Sequence, residues 1–496
     1  MEMDLGWVTI ALSIGFVVLL VRSLLGDGSS SRTRFPPGPQ GLPLVGNLLQ
    51  VDLYNLPSSL MEVSKKYGPV FSIRLGGRTV VVLTGYQAVR DALVGKAEEF
   101  SSRPLVPMQQ YLGIDKGLVL GRGAWHRTLR RFSLSTLRDF GVGRRSIEER
   151  ISEESECLLK RISALEGKSF EPTFFFNSAV SNVICSVIFG ERFDYDNATF
   201  VKLLAVMNKE LQLLGGIWTQ LYNAFPLLRY IPGPHLYLAK ESRKIANFVR
   251  GMISQHQSVL DTSNPQDYID AFIVKQSKEN NMPETGEKVF TDDHMTFATR
   301  SLFVAGSETT STTLRCALLI MIVNPDVQAR VHAEIDRVLG ERAPTMADRE
   351  NLPYTNAVIH EIQRFSDILP MNVPHATTTD VEFNGFLLPK GTQIIPLLRS
   401  VHRDAKEWAT PYDFNPSHFL DENGGFVKRD AFMAFSAGRR ACLGESLART
   451  ELFIFFTGLI QHFTFKSPVG TPLPDLTPQL GTISSPKPYA LCAFKR

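Results

Sequence analysis

The stretch Thr291–Val323 constrains the fold more than any other part of the chain. Its apolar spacing predicts one continuous helix, with Thr291 as the capping residue and Asp292 and Asp293 in the first turn, where the positive end of the helix dipole favours them. "NPD" at Asn324 stops it. At 1.5 Å per residue such a rod is roughly 50 Å long, enough to cross a large domain, so the remaining elements must pack around it. In its middle stands "AGSETT", Ala305 to Thr310. A mid-helix glycine such as Gly306 costs about 1 kcal/mol, so something other than helix stability selects it. Ala305, Gly306 and Thr309 share one face with little bulk and a hydroxyl, with Glu308 beside it. That face suits either a flat slab lying on the helix or a close helix crossing.

The chain has 496 residues and no clean linker, which implies one large domain or two subdomains with a shared core. Helical spacing recurs over Ile147–Ile162, Val201–Leu214, Asp326–Leu339 and Pro353–Phe365. "YGPVFSIRLGGRTVVVLT" reads as a hairpin turning at Gly76-Gly77, and "VEFNGFLLPKGTQII" as further short strands. The architecture is mainly α with a small β part. A net charge of +3 from 53 basic and 50 acidic residues gives no global field for nucleic acid, and none is expected as a partner. Cys157, Cys185, Cys316, Cys442 and Cys492 are odd in number and show no CxxC spacing, which argues against a disulfide framework and a structural zinc site.

From Leu5 to Val21 the chain carries no charge; Glu2 and Asp4 precede the run and Arg22, Arg32 and Arg34 follow it. This reads as a retained transmembrane anchor over 1–25, with the rest of the chain on the cytosolic side. Residues 26–40 form a polar linker closed by a proline-rich hinge, Pro36, Pro37, Gly38 and Pro39, before a large domain at 41–496. The stretch Ile217–Pro232 is aromatic, apolar and punctuated by prolines; core packing and a membrane-dipping surface are equally good readings. The sequon at Asn197 is the only one, and a cytosolic location leaves it unmodified.

"FSAGRRACLGESLA", Phe435 to Ala448, carries the chemistry. Cys442 precedes an apparent helix, whose free N–H groups and dipole favour a thiolate able to hold a metal. Gly438 permits a tight turn, Gly444 a close backbone approach to a large planar ligand, and Arg440 would meet an anionic group at that ligand's edge. The pattern F-x-x-G-x-R-x-C-x-G is complete in Phe435, Gly438, Arg440, Cys442 and Gly444, with Ala448 in its usual place. With the proline-rich hinge, AGxETT in the long helix, E-x-x-R at Glu361 and Arg364, and P-x-H-F at Pro416 to Phe419, the chain resembles the cytochrome P-450 haem-thiolate monooxygenases over essentially its whole length. Texture such as "MPETGEKVF", "LPYTNAVIHEIQRF" and "LPKGT" is similar to the membrane-bound, drug- and lipid-oxidising family two of animals. "HEIQR" at His360 lacks the last histidine of a zinc-protease HExxH.

The resemblance implies a cytochrome P-450 fold with an N-terminal membrane anchor helix, and haem b with Cys442 as axial thiolate ligand. It implies Thr309 as the alcohol that steadies dioxygen and Glu308 as the acid that feeds protons inward. The propionates of the haem would meet Arg103, His375, Arg440 and Arg130. The last should belong to a W-x-x-x-R pair, but the residue four after Trp125 is Leu129, so either Trp125 or His126 completes the site. Ala305 lies over the haem. Substrate would touch Ser301, Val304, Ala305, Leu369, Val373 and Thr482 or Ile483. Ser301 brings no acid for cationic amines, which favours neutral lipophiles, fatty acids or steroids. Glu361 and Arg364 form a structural lock with Pro416–Phe419. Electrons would come from NADPH-cytochrome P-450 reductase, with the b-type cytochrome of the same membrane as a further partner, at a face including Arg130, Arg131, Arg144, Arg145 and Arg439. The expected location is the endoplasmic reticulum membrane. A haem-thiolate peroxide isomerase and a non-catalytic haem-binding membrane protein are the alternatives; the Glu308-Thr309 pair disfavours both.

Overall fold

A computed structural model describes residues 35–143, 145–280 and 288–496. The anchor run lies outside the described residues; among them no helix is long and apolar enough to cross a membrane.

The longer helices are α1 (Leu56–Tyr67), α2 (Gly123–Asp139), α3 (Arg145–Ser163), α4 (Thr173–Ile188), α5 (Ala198–Gly215), α6 (Ile217–Ala224), α7 (Pro234–Val259), α8 (Tyr268–Asn280), α9 (Asp292–Val323), α10 (Pro325–Val338), α11 (Pro353–Ser366) and α12 (Glu445–His462). Helix α9 is the predicted rod: Thr291 Oγ1 accepts the His294 N–H at 3.2 Å, and most of its side chains are buried. The main core surrounds it, with α4, α7, α11 and α12 packed against it. At the crossing with α4, a Cβ on Gly306 would stand 3.0 Å from an Ile184 side-chain carbon. The close crossing therefore requires Gly306, and Gly306 also lines, with Ala305 and Thr309, a cavity beside the crossing.

Strands β1 (Val70–Leu75) and β2 (Arg78–Leu83) form the antiparallel hairpin, and Gly76 takes φ +61° at its turn. The sheet continues with β6 (Gln393–Pro396) parallel to β2, and β3 (His375–Ala376) antiparallel to β6. Two-stranded pairs join β4 (Val381–Phe383) to β5 (Phe386–Leu388), β7 (Phe463–Lys466) to β10 (Cys492–Lys495), and β8 (Pro478–Gln479) to β9 (Ser485–Pro486). The proline-rich hinge lies on β1: the Pro37 carbonyl accepts the Ser72 N–H and the Pro36 carbonyl accepts the Ser72 hydroxyl. Asn197 caps α5, its Oδ1 accepting the Thr199 and Phe200 N–H groups.

Helix α6 and the turn after it leave Leu227 76% and Tyr230 75% exposed, with Ile231, Leu236 and Tyr237 beside them in the chain also at the surface. Core packing accounts for Thr219 and Tyr222 but not for those residues.

Candidate active site

A cavity lies between α9 and the loop that leads into α12. Ala305, Gly306 and Thr309 line it from α9; Phe435, Cys442, Gly444 and Ala448 line it from the loop and helix opposite. The loop is held by local hydrogen bonds: the Cys442 N–H donates to the Phe435 carbonyl at 2.9 Å, and Gly438, at φ +72°, turns the chain beneath. A Cβ at Gly438 would fall 1.7 Å from the Leu93 carbonyl oxygen, so no other residue fits. At Gly444 a Cβ would meet nothing within 4 Å, because that position opens onto the cavity.

Cys442 is enclosed by protein, yet its side chain is exposed, since the surface it shows belongs to the cavity. Cys185, Cys316 and Cys492 are buried and Cys157 is half-buried. Burial pushes the Cys442 thiol up, and the Gly444 N–H offsets only part of that rise.

One wall is strongly basic. Arg103 donates to the carbonyls of Val119, Val373 and Pro374, Arg440 to those of Ser101 and Gly121, and Arg130 to that of Ala441. Among the described residues none of the three pairs with a carboxylate. Burial and mutual repulsion hold Arg103 well below the usual guanidinium range and bring Arg440 down to about 10. The His375 Nδ1–H donates to the Phe100 carbonyl, while its buried Nε2 has no partner. Buried cations without counter-charge are costly, so this wall calls for an anionic group. A basic wall suited to two propionates, a thiol facing the cavity and a small-residue face opposite it fit haem b.

His126 joins the wall from the start of α2: it is buried, its Nε2 2.8 Å from an Arg440 nitrogen. Trp125 stacks on His294, ring centroids 4.3 Å apart at 16°, and borders the same basic cleft as Arg103, Arg130 and Arg440. The five-residue step from Trp125 to Arg130 leaves His126 one turn ahead of Arg130.

Ser301, Leu369 and Val373 line the same cavity. Val304 does not; it packs against the main core. Ile483 lines a second cavity on the far side of α9, and the Thr482 hydroxyl donates to the Leu211 carbonyl. Glu308 opens onto that second cavity too, since consecutive helical residues point about 100° apart. Its Oε1 accepts from Thr312 at 3.1 Å and Arg315 at 3.4 Å, its Oε2 has no partner, and burial pushes its carboxyl up. Thr309 Oγ1 donates to the Ala305 carbonyl at 2.8 Å.

Glu361 and Arg364 are fully buried and joined by two 2.7 Å bonds; Glu361 also accepts the Asn415 N–H and contacts His418 of the Pro416–Phe419 turn. Sequence reasoning overlooked Glu451, nine residues after Cys442. It is buried at the edge of the cavity, accepts the Thr310 hydroxyl, and burial raises its carboxyl to about 8. An acid on the apolar run "ELFIFF" was the available signal. Of the arginines expected on a docking face, Arg131 and Arg145 are exposed, Arg439 is exposed and paired with Glu98 at 2.6 Å, and Arg130 turns inward; Arg144 lies outside the described residues.

Comparison with known proteins agrees with this arrangement. The family description "Cytochrome P450" matches residues 36–493. The chain is 44% identical to cytochrome P450 2C23 of Rattus norvegicus, with 99% of each chain covered. It is 47% identical to cytochrome P450 2F2 of Mus musculus, over 93% of this chain and 94% of that one. With cytochrome P450 2C5 of Oryctolagus cuniculus the identity is 46%, over 97% and 98%.

Proposed function

The chain belongs to the cytochrome P450 family, and from that premise we propose how its residues divide the work of the reaction. The protein is a haem-thiolate monooxygenase that inserts one atom of dioxygen into lipophilic small molecules, with haem b as cofactor. A redox partner supplies the electrons. Bound through a thiolate, the haem supplies the activation of dioxygen.

Cys442 would hold the iron. Arg103, Arg130, Arg440 and His375, with His126, would hold the propionates, whose negative charge would offset the repulsion among the arginines. Phe435, Gly438, Gly444 and Ala448 shape one wall, and Ala305 leaves the other flat. Thr309 keeps a hydroxyl proton at Oγ1 on the cavity side, and Glu308 behind it is the acid that replaces that proton. Ser301, Ala305, Leu369 and Val373 position the substrate by shape, and the absence of an acid at Ser301 favours neutral lipophiles, fatty acids or steroids.

The electron donor in this reading is NADPH-cytochrome P-450 reductase, docking on exposed arginines that include Arg131, Arg145 and Arg439; the b-type cytochrome is a second visitor to that face. The protein sits at the endoplasmic reticulum membrane with its catalytic domain, 41–496, on the cytosolic side. The anchor (1–25) leads through the linker (26–40), and the exposed Leu227, Tyr230 and Ile231 rest on the bilayer.

The observation that carries this reading is Cys442 facing Ala305 and Thr309 across one cavity walled by three arginines that have no carboxylate partner among the described residues. The test is the ferrous carbon-monoxide spectrum of the purified protein together with NADPH- and reductase-dependent oxidation of a fatty acid and a steroid. A thiolate-type spectrum that Cys442→His converts to an imidazole type supports it; an imidazole-type spectrum from the wild-type protein overturns it.

A further inference from the structure

The segment 367–374, between α11 and β3, touches three parts of the site. Leu369 and Val373 line the cavity, and the Val373 and Pro374 carbonyls accept from Arg103. Its third contact reaches the cysteine loop: Asn372 Nδ2 donates to Ser436 Oγ at 2.8 Å, across 64 positions of sequence. Asn372 Oδ1 accepts the Val373 N–H at 2.7 Å, which fixes the orientation of the amide, since only its oxygen can accept from a backbone N–H. Both ends of this bond are held stiffly. Asn372 takes φ +56° and Ser436 φ +61°, a conformation that is costly for residues with a Cβ and persists where the surrounding structure enforces it. The Asn372 N–H donates to the Leu369 carbonyl at 3.0 Å and the Ser436 N–H to the Met433 carbonyl at 2.9 Å, so a tight turn closes on each side.

The bond ends next to the thiol. Phe435 and Ser436 share a peptide unit, and the carbonyl of that unit accepts the Cys442 N–H at 2.9 Å. A peptide unit is planar and moves as one body, so a shift of Ser436 tilts the acceptor that holds the cysteine backbone. We propose that Asn372 is a positioning residue whose bond to Ser436 carries the presence of a lipophilic substrate at Leu369 and Val373 to the backbone of Cys442. The proposal rests on the reading of Leu369 and Val373 as substrate contacts.

A substrate acts in this way only through contacts that differ between two arrangements of the loop. Leu369 and Val373 supply them, and Asn372 lies in the turn they bracket, so displacing either side chain moves its amide. At the start of the segment Asp367 is fixed by Arg399 at 3.0 Å and His402 at 3.1 Å, so the push is relayed at Asn372 and not there. By linkage the effect runs both ways: whatever holds the cysteine loop in its substrate-bound arrangement raises the affinity of the pocket by the same factor.

The test is amide hydrogen exchange of the full-length, haem-loaded protein with and without saturating lauric acid or testosterone, read on peptides covering 367–374 and 433–444. Asn372→Gly and Ser436→Gly each remove one side of the bond, and glycine suits a positive φ, so both turns persist. In the wild type a bound probe is expected to slow exchange of the 433–444 peptide several-fold. In each variant the probe should still shift the Soret band and protect 367–374 with little change in Kd, while exchange of 433–444 becomes the same with and without it. The double variant should behave like either single one, since both remove the same bond. A bond with a structural role alone would, when broken, speed loop exchange equally in both states, so a probe-dependent difference that survives in the variants overturns the link. A wild-type loop indifferent to bound probe overturns it as well. No Soret shift and no protection of 367–374 in the wild type overturn instead the reading of a lipophile pocket beneath it.

Discussion

The imidazole Nε2 of His126 lies 2.8 Å from an Arg440 guanidinium nitrogen and 2.8 Å from the Leu118 carbonyl oxygen. Burial and the Arg440 charge hold this histidine neutral, with a pKa of about 3, so it can accept from the arginine or donate to the carbonyl. In the accepting form it fixes Arg440 in the basic wall.

His126→Leu therefore strips a buried guanidinium of a partner, a loss of about 1–3 kcal/mol. The expected outcome is at least a several-fold faster transfer of haem to apomyoglobin. Trp125→Phe keeps its stack on His294 and should release haem at the wild-type rate. Equal rates in His126→Leu and wild type would remove His126 from the wall.

Two glycines of the cysteine loop should part company. Gly438→Ala forces a methyl into the Leu93 carbonyl at a positive φ, and no haem-loaded protein should accumulate. Gly444→Ala has room for its methyl, but that room is the cavity beside Cys442. It should keep the helical circular dichroism and lower the haem-to-protein ratio.

What could be read from the sequence was what depends on near neighbours. The cap at Thr291, the hairpin at Gly76-Gly77 and the turn at Gly438 each follow from a few adjacent residues, and all three are present. Ala305 and Thr309 were legible as one face, but their neighbour Gly306 meets Ile184, a contact across more than a hundred positions that no local pattern encodes. Which of Trp125 and His126 meets Arg440 depends on three-dimensional packing: His126 does, while Trp125 stacks on His294. Val304 and Ile483 were misplaced for the same reason: a pocket-lining position is fixed by the rotation of a helix and the path of a loop in three dimensions.

The Glu361–Arg364 pair should be the least replaceable ion pair in the core. Arg364 also donates to the carbonyls of His402, Pro411 and Asp413, so one side chain pins the chain between α11 and the Pro416–Phe419 turn. Arg364→Ala leaves Glu361 charged and unpaired with no exposure, a cost of about 3–5 kcal/mol. Arg364→Lys should not rescue, because an ammonium cannot span five acceptors. Thermal unfolding and the yield of the ferrous carbon-monoxide chromophore report both.

Stability should fall on the alkaline side through His256. Its Nε2 lies 2.7 Å from Asp267, which raises its pKa to about 9 against an unfolded value near 6.5. A raised folded pKa means the stabilisation is full below pH 6.5 and is lost as pH climbs through about 9; its upper bound is about 3 kcal/mol. Urea midpoints measured between pH 6 and 9.5 should decline in the wild type, and His256→Gln should flatten that part of the decline. Parallel curves would assign the alkaline loss to other groups.

Arg300 and Glu210 stand 90 positions apart yet meet at 2.5 and 2.6 Å with 6% and 1% exposure, and Ser242 on α7 joins them at 3.2 Å. The cluster ties α5 and α7, which flank the exposed apolar segment around Leu227, to the rigid central helix. Arg300→Met leaves the Glu210 carboxylate buried without a partner, and the expected destabilisation is about 3–5 kcal/mol. Removing both charges in Arg300→Met/Glu210→Met should recover most of that, since two apolar side chains of similar volume replace a desolvated pair. Chemical denaturation of the four proteins closes the double-mutant cycle. Hydrogen exchange should show the single variant's extra opening concentrated in 198–259, because α10, α11 and α12 pack on other parts of α9 and do not share this clamp. Protection lost evenly across the chain would make the pair a contributor to global stability alone.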